Sequence, residues 1–242
     1  MRQSNAYIII YSAILTVVCA GVLAFASISL KDAQDANVAL EQKGNILSTV
    51  SQIPEGADVQ AMYGKRIKGF VVNYQGDVVP NMEPAKVNVE SEYKKKPEER
   101  VLPVYEYLNE TDPTKVESVV IPVYGYGLWN NISGFIALEA DFNTVRGVKF
   151  SHKGETPGLG ARIETDEIQK RYIGKKIFDG SSTLVSIMMM KGEGLNYADD
   201  HHKVDGMSGA TLTGKGVNNM LKDYFSCYKT YLMKNKQNTA SL

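Results

Sequence analysis

An uncharged apolar run near the start of the chain restricts the possible folds more than any other feature. It extends from Ala6 to Leu30 and reads AYIIIYSAILTVVCAGVLAFASISL. About 20 apolar residues in a helix suffice to cross the roughly 30 Å hydrocarbon core of a bilayer. The run therefore predicts a single membrane-spanning helix, with a tail of five residues before it.

Two other interpretations of this run remain open. A cleaved signal peptide has an apolar core of about 7–15 residues, shorter than this one, although Ala24-Phe25-Ala26 resembles a cleavage site. A lipoprotein anchored at Cys19 is disfavoured, because Val18 stands where a small residue is expected. The basic residues flanking the run, Arg2 and Lys31, are too evenly balanced to fix its orientation. The short tail nevertheless favours a cytoplasmic N-terminus and an exported C-terminal domain.

Charge and cysteine content exclude several classes of function. The chain has 27 basic and 27 acidic side chains. It therefore lacks the surplus of basic residues that would indicate a nucleic-acid partner. Its two cysteines, Cys19 and Cys227, lie far apart, and no Cys-x-x-Cys pair occurs. Iron–sulfur and zinc–thiolate chemistry within the chain is therefore disfavoured, and a redox role would require an organic cofactor.

The remaining pattern predicts an α+β fold, in which the N-terminal transmembrane helix precedes a mainly antiparallel-sheet domain with flanking helices. The predicted domains are 1–31 for the tail and anchor, 32–100 for a membrane-proximal helix and accessory region, and 101–242 for a cofactor-binding domain. Within them, residues 92–100 (EYKKKPEER) are predicted to form a solvated loop. Helices are predicted at 32–53 and from residue 217, and strands at 70–74, 78–79, 101–108, 118–124, 134–140, 144–151 and 183–190.

The stretch DGMSGATLTG, residues 205–214, carries the most chemical information. Small residues surround Thr211, so a bulky group can approach its hydroxyl closely. Thr213 is a plausible N-cap of the closing helix. The N-terminus of a helix offers unpaired N–H groups and a partial positive charge, which suit a phosphate.

The stretch has two other interpretations. Residues 209–215 match the phosphate-binding pattern G-x-x-x-x-G-K, but Gly216 stands where a magnesium-binding Ser or Thr is required. No alternating strand–helix units accompany the pattern, which disfavours nucleotide hydrolysis. A turn of small residues that merely caps a helix is the other possibility, and local chemistry alone does not exclude it.

Three motifs together give the chain a family resemblance. Ser208-Gly209-Ala210-Thr211 resembles the flavinylation motif of the FMN-binding subunits of the Na⁺-translocating NADH:quinone reductase and of the related Rnf complexes. Residues 154–160 (GETPGLG) are similar to a loop of the same subunits. Residues 127–129 (GLW), followed by 134–139 (GFIALE), are similar to the NqrC family of the quinone reductase in particular. With the N-terminal anchor, the resemblance covers nearly the whole chain.

The resemblance implies FMN bound covalently, through a phosphoester to Thr211, after a flavin transferase has moved it from FAD. The implied cofactor-binding residues are Ser208, Gly209, Ala210, Leu212 and Thr213 around the phosphate, and Glu155, Thr156, Gly158, Leu159 and Gly160 against the isoalloxazine ring. Trp129 is a further candidate for the flavin pocket, although a core tryptophan is an equally good interpretation. Asp205 belongs to the pattern that the transferase recognises.

The same resemblance implies an electron carrier of the bacterial inner membrane, with a single span and a periplasmic C-terminal domain. Its partners would be the other membrane subunits of the reductase, with NADH as donor and a quinone, such as ubiquinone, as acceptor. An Rnf-type subunit and a membrane-anchored module without flavin are the alternatives. No catalytic residue is predicted. The pair His201-His202 is not predicted to bind a metal, because adjacent strand residues point to opposite faces.

Overall fold

The protein is described here by a computed structural model that covers residues 4–239. The chain divides into two compact units, residues 1–42 and residues 43–242. A helix, α1 (Asn5–Ser48), extends from the first unit into the start of the second. In the first unit its large apolar side chains, from Tyr7 to Leu30, are exposed. Over the described residues, α1 is the one helix long and apolar enough to cross a membrane.

The second unit is built on a five-stranded antiparallel sheet. The strands pair in chain order, β1 (Ile67–Val72), β2 (Leu102–Leu108), β3 (Val116–Tyr126), β4 (Asn131–Glu139) and β5 (Val145–His152). Short helices complete the unit, namely α2 (Val59–Arg66), α3 (Val89–Tyr93) and α4 (Asp166–Lys170), with single 3₁₀ turns at Pro84–Lys86, Pro97–Glu99 and Gly160–Glu164. The predicted α+β class with an antiparallel sheet is confirmed.

Two hydrophobic cores cover the two faces of the sheet. Because side chains alternate along a strand, β3 directs Ile121 into the larger core and Val120 into the smaller one. The smaller core is closed by the last turn of α1 and by α2. The larger core is closed by the final helix, α5 (Thr211–Thr239). That helix packs directly on β3, where a Cβ atom on Gly125 would lie 2.8 Å from Met220 Cβ.

The strand predicted at 183–190 is wrong in extent. Only β6 (Met188–Met189) forms, and it pairs in parallel with β7 (Lys203–Val204). Ser182 and Ser186 adopt positive φ angles of 60° and 64°, which interrupts the extended backbone before β6. The strand itself is fixed by Asn218 of α5, which bonds to both the N–H and the carbonyl of Met189.

The loop predicted at 92–100 is only partly correct. It contains two short helical turns, and two of its charged residues are buried, Glu92 and Arg100. Arg100 Nη1 lies 2.5 Å from Asp223 Oδ2, and its guanidinium carbon lies 5.1 Å from the centre of the Tyr93 ring. The ion pair with Asp223 attaches the segment to α5, while the contact with Tyr93 lies within the segment itself. The boundary predicted at residue 100 remains a prediction, and β1, on its N-terminal side, belongs to the same sheet as β2.

Candidate functional site

The three motifs meet around a pocket of about 200 Å³ at the start of α5. Leu128 comes from the β3–β4 turn, and Glu155, Thr156, Leu159 and Gly160 come from the loop after β5. The other wall is the residues that begin α5, namely Gly209, Ala210, Thr211, Leu212 and Thr213. The β3–β4 turn thus lies beside the flavinylation motif, as the candidate Trp129 implied, but its neighbour Leu128 is the residue that lines the pocket.

The buried carboxylate of Glu155 joins the three segments. Its Oε2 accepts a hydrogen bond of 2.5 Å from Thr213 Oγ1, and its Oε1 accepts one of 2.9 Å from the Trp129 N–H. Burial pushes the pKa of Glu155 upward, but the bonds from Thr213 and from backbone N–H groups of residues 128–130 outweigh it and lower the pKa. The carboxylate is therefore held in its charged form.

Glycines allow this close packing around Glu155. A Cβ atom on Gly127 would lie 2.5 Å from Glu155 Oε1. One on Gly160 would lie 2.5 Å from Glu155 Oε2 and closer still to Thr213 Oγ1. Since real Cβ atoms do not approach so closely, only glycine fits these two positions without displacing the carboxylate.

Thr211 is the first residue of α5, and its side chain is exposed. The first α-helical bond here runs from the Gly214 N–H to the Ala210 carbonyl. Within residues 4–239, the N–H groups of Thr211, Leu212 and Thr213 find no acceptor, as is usual in the first turn of a helix. Together with the helix dipole, these free donors fit a phosphate ester on the Thr211 hydroxyl.

The prediction that Thr213 is the N-cap is wrong. Because α5 begins at Thr211, Thr213 lies inside the first turn, and its hydroxyl is turned into the protein toward Glu155. The preceding turn is made by Gly209, whose φ of +73° is favourable for glycine.

Other predicted site residues lie outside the pocket lining. Trp129 contributes its backbone N–H to Glu155, but the residue is 70% exposed, so the interpretation as a core tryptophan is wrong. Gly158 forms the tip of its loop with a φ of +76°. The N–H of Ser208 donates to Glu193 rather than into the pocket. Asp205 accepts hydrogen bonds of 2.8 and 3.2 Å from the N–H groups of Gly194 and Leu195.

Sequence reasoning missed a second carboxylate, Glu193, which lies beside the pocket. Arg162 donates to both of its oxygens, at 2.6 and 2.9 Å, and Arg171 donates to Oε1 at 3.0 Å. Its Oε2 also accepts the Ser208 N–H at 2.9 Å. The Arg162 guanidinium, the Ser208 N–H and Arg171 hold the pKa of Glu193 far below its usual range. A charged residue between Gly192 and Gly194 was the only signal in the sequence.

The pocket suits part of a flavin rather than a whole one. Pockets that enclose a small molecule usually measure about 300–1,000 Å³, so a cavity of about 200 Å³ would leave much of the ring uncovered. Its apolar lining is open, with Leu128, Leu159 and Leu212 exposed by 47%, 41% and 57%. A larger cleft of about 720 Å³, between residues 48–53, β5 and α4, contains none of the motif residues. No cluster of metal-ligating side chains occurs in the described part of the chain.

Comparison with known proteins agrees with this site. Residues 127–226 match the model of the FMN-binding domain family, so this part of the chain is an FMN-binding domain. The NqrC subunit of the Na⁺-translocating NADH-quinone reductase from Haemophilus ducreyi is 35% identical over 92% of this chain and 91% of that protein. The same subunit from Pseudomonas aeruginosa is 32% identical over 96% and 98%. The chain belongs to the NqrC family of the Na⁺-translocating NADH-quinone reductase.

Solved structures of the family share the fold. The crystal structure of the same reductase subunit from Parabacteroides distasonis matches with a TM-score of 0.72 and 31% identity, over 84% of this chain and 96% of that one. NqrC from Shewanella oneidensis matches with a TM-score of 0.73 and 28% identity, over 84% and 99%.

Proposed function

We propose that this chain is the electron-carrying NqrC subunit of a Na⁺-translocating NADH-quinone reductase, and that it holds FMN covalently through a phosphoester to Thr211. The flavin supplies the redox chemistry, while the protein supplies attachment, orientation and electrostatics. The observation that carries the proposal is the exposed Thr211 hydroxyl at the start of α5, beside free N–H donors and a pocket lined by the ETPGLG loop.

The attachment step requires a flavin transferase and FAD. A bond forms between Thr211 Oγ1 and the FMN phosphorus, the bond from that phosphorus to the AMP part of FAD breaks, and AMP leaves. The proton of the threonine hydroxyl passes to a base of the transferase. Exposure of Thr211 makes its hydroxyl accessible to such an enzyme, and the free N–H groups of Leu212 and Thr213 stabilise the negative phosphate afterwards.

The other predicted residues orient the cofactor. Leu128, Leu159 and Leu212 offer an apolar surface to the ring, while Thr156 offers a hydroxyl at its edge. Glu155 does not need to touch the flavin, because its bonds to Thr213 and to the β3–β4 turn hold the walls of the pocket together. Covalent attachment keeps the cofactor on an exported domain, where a lost FMN molecule could not be recaptured.

Family membership supports the remaining assignments. We infer a single-span protein of the bacterial inner membrane with a periplasmic C-terminal domain, in which 101–242 carry the flavin and 32–100 are accessory. Its partners are the other subunits of the reductase, NADH is the ultimate donor and a quinone the acceptor. Asp205 belongs to the region that the transferase recognises.

Expression with and without a flavin transferase tests the proposal. The full-length chain made with the transferase should fluoresce as a protein band after denaturing electrophoresis, and Thr211→Val should abolish the band. Thr213→Ser is the matched control, because it keeps the hydroxyl that Glu155 requires and should keep the flavin. Peptide mapping then locates the modified residue.

The outcomes separate the proposal from its alternatives. A fluorescent band that persists in Thr211→Val would refute attachment at this residue. A wild-type chain without flavin, purified beside an active transferase, would favour a membrane-anchored module that carries the motif unmodified. Co-purification of a flavinylated chain with Rnf-type subunits, rather than with subunits of the quinone reductase, would favour the Rnf alternative.

A further inference from the structure

The carboxylate of Glu193 connects the two walls of the flavin pocket. One partner, Arg162, follows Gly160 by two residues and belongs to the wall made by the ETPGLG loop. The other, the Ser208 N–H, immediately precedes Gly209 in the opposite wall. We propose that Glu193 is a positioning residue that fixes the separation of these walls and thereby the orientation of the FMN on Thr211. The proposal rests on the proposed function.

The geometry of the contacts makes this connection rigid. Arg162 binds Glu193 through two nitrogens, and a planar two-bond pairing restricts both side chains more than a single bond does. The third bond comes from the N–H of Ser208, which is part of the backbone of the flavinylation motif. Displacement of the carboxylate would therefore move the motif backbone and not merely a side chain.

The loop that carries Glu193 is itself anchored to the motif. The Asp205 carboxylate accepts the N–H groups of Gly194 and Leu195, and Arg171 donates to the carbonyls of Asp205 and Gly206. A Cβ atom on Gly206 would collide with the carbonyl oxygens of Met190 and Gly192. The backbones of 190–195 and 205–208 are therefore in direct contact, and Glu193 has little freedom to leave Ser208.

A neighbouring carboxylate provides an internal comparison. Glu167 pairs with the same two arginines, at 3.4 Å to Arg162 and 2.5 Å to Arg171. Its side chain is 62% exposed, whereas that of Glu193 is 22% exposed. Among the described contacts, Glu167 has none to Ser208 or to another residue of the motif. The two residues share their charge partners, but Glu193 is less exposed, binds Arg162 through two nitrogens and alone bonds to the motif backbone.

Two measurements on the full-length chain in detergent test the proposal, with Glu193→Ala compared with Glu167→Ala. In chain from a host without transferase, hydrogen exchange of the Ser208 amide should accelerate about tenfold or more in Glu193→Ala, as expected when a hydrogen bond to a charged group is lost, and stay unchanged in Glu167→Ala. In flavinylated chain, the fast component of the FMN fluorescence anisotropy decay should grow in Glu193→Ala only. Glu193→Gln should partly restore both, because its amide oxygen can still accept the Ser208 N–H.

Each remaining outcome decides against the proposal or against its premise. Equal effects of Glu193→Ala and Glu167→Ala would show that arginine pairing alone matters, and unchanged flavin mobility in Glu193→Ala would refute an orienting role. If Glu193→Ala does not fold, Glu193→Gln is compared with Glu167→Gln in both measurements, and equal results overturn the proposal. A wild-type chain that never acquires flavin would contradict the proposed function instead, and the amide exchange would still test the bond to Ser208.

Discussion

Thr213 Oγ1 donates a hydrogen bond of 2.5 Å to Glu155 Oε2, and this bond joins the first turn of α5 to the ETPGLG loop. The two residues lie 58 positions apart in the chain. Both are buried, at 1% and 4% exposure, so water cannot replace either partner. The relationship gives two neighbouring threonines opposite roles, since Thr211 faces solvent and Thr213 faces the interior.

Removal of the inner hydroxyl should destabilise the fold. Thr213→Val keeps the side-chain volume but leaves one oxygen of a buried carboxylate without its partner, which should cost about 1.5–3 kcal/mol of unfolding free energy. Urea unfolding followed by circular dichroism measures the change. The matched variant Thr211→Val should alter stability by less than about 0.5 kcal/mol, as is usual for exposed positions. A destabilisation of the same size in both variants would contradict the inward role of Thr213.

A methyl group at Gly160 should have a larger effect than one at Gly154, at the other end of the same loop. The added Cβ at Gly160 would overlap Glu155 Oε2 and Thr213 Oγ1, while at Gly154 its nearest neighbour is Asn130 Cβ at 3.5 Å. Overpacking typically costs about 1–3 kcal/mol, so Gly160→Ala should be destabilised by this amount and Gly154→Ala nearly neutral. Thermal unfolding of both variants provides the measurement. Equal melting temperatures would indicate that the loop shifts to accommodate the methyl group at Gly160 with little loss of stability.

Acidification should lower the stability of the folded domain through the two carboxylates of the site, Glu155 and Glu193. The pKa values of Glu155 and Glu193 are both lowered in the folded protein from an ordinary value of 4.5. A lowered pKa means that the folded state binds the proton less readily than the unfolded state. The stability contribution is therefore complete above about pH 4.5 and declines as the pH falls further. Urea midpoints at a series of pH values from 7 to 3 follow the decline.

A substitution assigns this pH dependence to its source. Glu193→Gln should show a shallower loss of stability below about pH 4.5, because one of the two linked carboxylates is gone. Glu55→Gln, an exposed position without described contacts, should keep the wild-type slope. An unchanged slope in Glu193→Gln would mean that other carboxylates dominate the acid response.

Cysteine labelling should reveal the orientation in the membrane. The native thiols make a low background, since Cys19 lies within the apolar run and Cys227 is buried, with a pKa raised to about 11 by burial. Glu55→Cys, in the domain proposed to be exported, should react with an impermeant maleimide in cells with a permeabilised outer membrane and an intact inner membrane. Ser4→Cys should react only after the inner membrane is opened as well. The reverse pattern would place the flavin domain in the cytoplasm.

Local patterns in the sequence were sufficient for much of the fold. The five long strands were predicted close to their observed positions, because alternating apolar residues and intervening turn residues are local signals. The stretch 183–190 has the same composition but mostly fails to form a strand. Its backbone turns at Ser182 and Ser186, and what remains extended depends on Asn218. That contact spans 29 positions and has no local signature.

Long-range contacts also explain what was missed in the site. The motifs identified the residues of the pocket, yet nothing in them showed that the Glu155 carboxylate joins all three segments. Glu193 was missed altogether, since Arg162 lies 31 positions before it and Ser208 lies 15 after it. A single carboxylate between two glycines is common in loops, and only the folded chain distinguishes it from a solvated one.

Thr211 begins a helix whose later residues, including Val217, Leu221 and Tyr228, are fully buried. Its hydroxyl is therefore located by the interior of the domain and not by a mobile loop. An α-helix advances about 1.5 Å and turns about 100° per residue. A single inserted residue between Thr213 and Val217 would therefore move the Thr211 hydroxyl to another side of the helix. A length change in that one turn should therefore displace the proposed attachment site of the flavin, whereas a length change after Leu232, a fully buried residue near the distal end of the helix, should leave that site in place.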